Sequence, residues 1–153
     1  MLQQPVISEQ DKAQLKRTLR KELKAEVTVR LFSQKPSLLT IPGRHCPYCP
    51  QTQRLLEELV ELSPKLHLEV IDFYEQPQLA REYKVARIPA IVLGTDDSAR
   101  LKFYGIPTGY ELPTVIEGIK TISRGVSPLG MDSRKKLRQV NQPVHIQVFV
   151  TPT

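Results

Sequence analysis

Between residues 27 and 73 the chain reads as a strand, a long helix and a second strand, and that order leaves few folds open. Val27, Val29 and Leu31 alternate with Thr28 and Arg30 ahead of Phe32, the period-two pattern of a strand. Leu66, Leu68 and Val70 alternate with His67 and Glu69 in the same way, and this second strand is expected to end near Phe73. Between them Thr52, Leu55, Leu56, Leu59 and Leu62 recur three and four residues apart, with Gln53, Arg54, Glu57, Glu58 and Glu61 mostly opposite. Ser63-Pro64 marks the stop. A helix of this length suffices for a crossover, so the two strands are expected to lie side by side and parallel.

The flanking sequence completes a layer. Ser8-Glu9-Gln10-Asp11 has capping-box spacing, and Leu15, Leu19 and Leu23 give the helix behind it a thin apolar stripe on a basic surface. Residues 33–43, with Pro36, Pro42 and Gly43, read as a loop whose Leu38, Leu39 and Ile41 are expected to pack down. Pro77 opens a short helix carrying Leu79, Ala80 and Tyr83. Residues 88–93 form an apolar run too short for a helix, 94–97 a turn, and Arg100 to Tyr104 a strand, together a hairpin. Thr108 to Glu111 offers another capping box before the stripe Leu112, Val115, Ile116, Ile119 and Ile122, although Pro113 blurs that helix start. The expected fold is α/β, with helices on both faces of a four-stranded sheet.

With 153 residues, 40% of them hydrophobic, the chain can bury one core, and a single domain is the default. The net charge of +6 lies largely in two basic runs, 12–24 and 134–138, which read as solvated helix faces. No aromatics interleave with them, so nucleic acid is not an expected partner. Met1 to Pro5 lacks a basic segment leading into an apolar run, and no window approaches the roughly 18 apolar residues of a membrane span. The expectation is a cytoplasmic chain with no membrane partner.

The chemistry concentrates at Arg44-His45-Cys46-Pro47-Tyr48-Cys49-Pro50, which holds both cysteines and stands where strand-like sequence gives way to helix. Two thiols separated by two residues can close a small disulfide ring or bind a metal. Cys46 is expected at the helix N-terminus, where free N–H groups and the dipole favour a thiolate, with Pro47 at the first helical position. Arg44 and His45 would push the Cys46 pKa further down.

Residues beyond Gly125 are not needed to finish this layer. Asp132 to Val140 reads as a basic helix, and Val144, Ile146 and Val148 alternate before Phe149 as a strand. Val27-Thr28-Val29-Arg30-Leu31-Phe32 and Val144-His145-Ile146-Gln147-Val148-Phe149 share their apolar positions, and each follows a basic helix. This reads as an internal repeat, with residues 1–125 as one unit and 126–153 as a linker and the opening helix and strand of a second.

Cys46-Pro47-Tyr48-Cys49 at a helix start, followed by Ile88-Pro89 ahead of a hairpin, resembles the thioredoxin and glutaredoxin superfamily. The lead-in helix, Val70-Ile71-Asp72-Phe73 and Phe103-Tyr104-Gly105-Ile106-Pro107 resemble more closely the glutaredoxin-like protein disulfide oxidoreductases, which carry two thioredoxin units in tandem. The resemblance implies a thioredoxin-like fold, Cys46 as the exposed attacking thiol and Cys49 as the resolving thiol. It implies that Pro89 is a cis-proline beside the disulfide, that the Ile88 backbone pairs with an extended substrate segment, and that Pro47 and Tyr48 tune the redox poise. Arg87-Ile88-Pro89 stands where glutaredoxins usually have Thr-Val-Pro, so no glutathione site is carried over.

The implied reaction is thiol–disulfide exchange with protein substrates, with a thioredoxin-reductase-like electron donor. Two sulfurs suffice, and no cofactor or metal is called for. Two other readings compete. A metal module on the same cysteines would need further ligands, and only His45, His67 and His145 remain as histidines, the last two in strands without ligand spacing. Alternatively the chain is an interaction fragment, with strand 144–150 paired against the first sheet or self-associating through its edge.

Overall fold

A computed structural model describes residues 5–36, 41–95 and 98–149. The elements run α1 (Glu9–Glu22), β1 (Val27–Ser33), α2 (Cys49–Val60), β2 (Leu66–Asp72), α3 (Pro77–Glu82), β3 (Ala90–Thr95), β4 (Ser98–Tyr104), α4 (Glu111–Arg124) and α5 (Met131–Leu137). The four strands form one mixed sheet in the order β2-β1-β3-β4. β1 pairs parallel with β2, Val27 opposite Leu66, and antiparallel with β3, Phe32 opposite Ala90. β3 and β4 pair antiparallel as the expected hairpin. Its Asp96-Asp97 tip, like Leu38 and Leu39 of the long loop, lies outside the described residues, and Ile41 is exposed rather than packed down.

Alternation along β1 sorts the core into two layers. Val27, Val29 and Leu31 pack with Leu19 of α1, Leu55, Leu56 and Leu59 of α2 and Ile119 of α4. Phe32 points the other way, with Val92, against Ala80 of α3. Fully burying each such aliphatic side chain contributes about 1.5–3 kcal/mol, so the central pair β1 and β3 anchors the unit.

The lead-in helix is tied to this core at both ends. Ser8 caps it, its Oγ accepting the Asp11 N–H at 3.1 Å. Glu58 of α2 accepts the N–H groups of Val6 and Ile7 at 2.9 and 3.1 Å. At the other end buried Lys120 of α4 bridges to Glu22 at 3.0 Å.

Three further expectations need correction. α4 has no Thr108 side-chain cap: Tyr110 is the N-cap residue and makes no such bond, while the Thr108 carbonyl accepts the Glu111 N–H. Pro113 fits because first-turn N–H groups need no intrahelical partner. The basic helix after Gly125 ends at Leu137, short of Val140. Residues 144–149 form no strand and do not join the sheet among the described residues. A strand needs a ladder partner, and here Val144, Ile146, Val148 and Phe149 are all exposed.

Candidate active site

The C-terminal ends of β1 and β2 and the entry to β3 meet at one end of the sheet, and the loop from β1 delivers the cysteines there. Cys46 and Cys49 are joined in a disulfide with Cα atoms 5.4 Å apart. Cys46 is half-buried, whereas Cys49, the first residue of α2, is 1% exposed. Cys46 is therefore the more accessible residue of the pair.

The helix begins later than its sequence implies. Residues 46–49 form a turn closed by the Cys49 N–H to the Cys46 carbonyl at 3.3 Å, and Tyr48 is the N-cap residue. Pro47 sits in that turn, not at the first helical position, and Pro50 takes the second, where its missing N–H leaves no gap in the ladder. Thr52 stitches the turn to the helix, its N–H and Oγ1 both donating to the Tyr48 carbonyl, at 2.9 and 2.7 Å. Tyr48 projects outward, 56% exposed, and His45 and Pro47 are exposed beside it.

Arg44 stacks over the Tyr74 ring, its guanidinium carbon 4.8 Å from the ring centroid. Its carbonyl accepts Nε2 of Gln34 at 2.7 Å.

Asp72 closes β2 and organises this end of the sheet, a task that the pattern of residues 70–73 does not reveal. Its Oδ2 accepts the Lys35 N–H at 2.8 Å, and Oδ1 accepts the N–H groups of Tyr74 and Glu75 at 2.9 and 2.8 Å. Burial opposes its ionisation, but the backbone donors from Lys35, Glu75 and Tyr74 prevail and hold the carboxyl below its ordinary value. An aspartate closing a strand before a turn is the signal that could have marked it.

The Ile88–Pro89 peptide bond is cis, and the Pro89 carbonyl accepts the Gly105 N–H at 2.9 Å. Phe32 opposite Ala90 sets this bond at the end of the sheet from which the chain leaves toward the cysteines. Ile88 is half-buried, and the neighbouring Arg87 stacks on Tyr104 at 4.4 Å.

His45 adjoins Cys46 in the chain, whereas His67 faces Glu26 at 3.2 Å and His145 lies in the exposed 141–149 segment. Among the described residues no cluster of three or more potential metal ligands occurs, and no helix is long and apolar enough to cross a membrane.

A family model described as thioredoxin domain matches residues 38–117. A protein named thioredoxin from Methanocaldococcus jannaschii is 37% identical over 87 residues, 56% of this chain and 92% of its own length. Among solved structures, a protein disulfide oxidoreductase from Aeropyrum pernix superposes with a TM-score of 0.71 at 27% identity, over 87% of this chain and 55% of that one. An alkylhydroperoxide reductase component of Enterococcus faecalis, AhpF, gives a TM-score of 0.69 at 23% identity, over 86% of this chain and 59% of that one, a likeness of fold. The chain thus spans little more than half the length of these two structures.

Proposed function

Because this chain belongs to the thioredoxin-domain family and its Cys46–Cys49 pair is a thiol–disulfide oxidoreductase site, we propose that it exchanges disulfides with protein substrates, Cys46 attacking and Cys49 resolving. The observation that carries this reading is the asymmetry of the pair, Cys46 half-buried and Cys49 1% exposed. The Cys46 thiolate attacks a substrate disulfide and releases one substrate sulfur as a thiolate. Cys49 then attacks Cys46 Sγ in the mixed disulfide, closes the Cys46–Cys49 bond and frees the second substrate sulfur. Pro47, Tyr48 and His45 form the exposed rim that meets the substrate, and the Ile88 backbone, ahead of cis-Pro89, pairs with an extended segment of it. A dithiol donor of the thioredoxin-reductase kind would return the electrons. A cytoplasmic setting suits a lone pair of cysteines that is exchanged instead of serving as a permanent staple.

The test is turnover of a disulfide-bonded protein with dithiothreitol as reductant. Cys46→Ser should abolish it, and Cys49→Ser should accumulate a mixed disulfide through Cys46. Full activity in Cys46→Ser would overturn the assignment.

The match to a longer disulfide oxidoreductase, together with the repeated strand pattern, supports reading 1–125 as one unit and 126–153 as the opening of another. The exposed side chains of Val144, Ile146, Val148 and Phe149 favour self-association through this segment. Sedimentation of the full chain against one lacking residues 144–153 tests it; equal monomer mass at high concentration would refute it.

A further inference from the structure

β1 ends in a buried polar side chain. Ser33 is 2% exposed, and its Oγ has no hydrogen-bond partner among the described residues. Its carbonyl, by contrast, accepts the Phe73 N–H at 2.9 Å. A buried hydroxyl left unpaired costs about 1–3 kcal/mol, and native folds rarely tolerate one without a use.

Strand alternation gives the direction of this side chain. Phe32 packs on the α3 face, whereas Val27, Val29 and Leu31 pack against Leu55, Leu56 and Leu59 of α2. Ser33, two residues beyond Leu31, belongs to the α2 face. It also sits at the end where α2 begins. Its neighbour Gln34 lines a groove with Pro50 and Gln53 of α2 and donates to the carbonyl of Arg44, two residues before Cys46. The first turn of α2 buries Cys49 and Thr52, and the Thr52 hydroxyl already donates to the Tyr48 carbonyl at 2.7 Å.

We propose that Ser33 is a positioning residue for the resolving sulfur: its hydroxyl, unpartnered among the described residues while the disulfide is closed, donates to Cys49 Sγ once that bond opens. The proposal rests on the dithiol reading of the cysteines. A disulfide sulfur is a weak acceptor, and a thiolate is a strong one. When a dithiol reduces the site, the Cys46–Cys49 bond breaks, the dithiol becomes a disulfide, and its two protons are shared between the freed sulfurs and solvent. In the oxidising direction Cys49 gives its proton to water and attacks Cys46 Sγ of the mixed disulfide. The new bond expels the substrate thiolate. A donor held at Cys49 favours its thiolate in both directions and stabilises the reduced protein relative to the oxidised one, while the serine itself keeps its proton.

The experiment uses the full chain carrying Ser33→Ala, Ser33→Val or Ser33→Thr. Each is equilibrated with dithiothreitol buffers, and Cys49 ionisation is followed by thiolate absorbance in a Cys46→Ser background. Ala and Val should shift the equilibrium toward the disulfide about tenfold, about 30 mV in potential for a two-electron couple. They should also raise the pH at which Cys49 ionises by about one unit. Thr, which restores the hydroxyl, should return both toward wild type. If Ala fails to fold, the Thr and Val pair, matched in volume, still isolates the hydroxyl. Unchanged potential and ionisation with only a changed melting temperature would mean a structural serine and overturn the proposal. A wild type that does not exchange with dithiothreitol would sink the dithiol reading too, whereas exchange equal in all variants would sink the serine alone.

Discussion

Replacing Asp72 by Asn should loosen the loop that carries the cysteines while sparing the turn after β2. The two carboxylate oxygens have divided tasks: Oδ1 accepts from Tyr74 and Glu75, and Oδ2 accepts from Lys35. An asparagine oriented to keep the first pair sets its NH2 against the Lys35 N–H, donor against donor. One charge-assisted bond is lost and a part-buried N–H is left unpaired, which costs about 2 kcal/mol. For a chain of this size that corresponds to a melting temperature lower by about 4–8 °C. The pH dependence supplies a second reading. The folded carboxyl is held below its ordinary value, so its contribution is complete above about pH 4 and fades as pH falls through the folded pKa. Wild type and Asp72→Asn should therefore differ fully at pH 7 and converge in acid. Urea unfolding across that range measures the difference, and amide exchange at Lys35 should speed up in the variant. Equal stability at pH 7, or a difference that persists unchanged at pH 2, would refute the account of Asp72 as the anchor of Lys35.

Other consequences can be checked with the same assays. Glu58→Ala removes the acceptor of the Val6 and Ile7 N–H groups and should cost about 1–3 kcal/mol, with faster exchange at those two amides. Leu56→Ala, at a fully buried position between α2 and the sheet, should cost about 2–5 kcal/mol by urea unfolding. Gly118 of α4 has room only for a tight Cβ, 3.1 Å from Leu101 Cδ1 and 3.2 Å from Leu93 Cδ1. Gly118→Leu should accordingly destabilise by about 1–3 kcal/mol through overpacking, while Gly118→Ala stays near wild type. Deleting everything after Gly130 should leave the unfolding free energy of the monomer within about 0.5 kcal/mol, since residues 131–149 are all exposed.

The kind and order of the elements and the identity of the reacting sulfurs are legible in the chain without its fold. Side-chain periodicity is local, so the alternation at 27–31 and 66–70 and the leucine stripe of 55–62 can be read without knowing their neighbours. The cysteine pair and the proline at 89 are equally local signals. Tertiary structure settles what depends on partners distant in sequence. β1 finds β3 across more than fifty residues, and that pairing sets Ile88–Pro89 at the end of the sheet toward which the cysteines run. The helix start falls at Cys49, within the ring that Cys46 and Cys49 close, against a sequence that fits an earlier one. Arg44 is drawn to Tyr74, and the Asp72 carboxylate is committed to Lys35, by contacts that no window of sequence contains. The segment 144–149 makes the same point in reverse: it has the alternation of β1 but no ladder partner, and backbone hydrogen bonding between strands is a property of the pair, never of one strand alone.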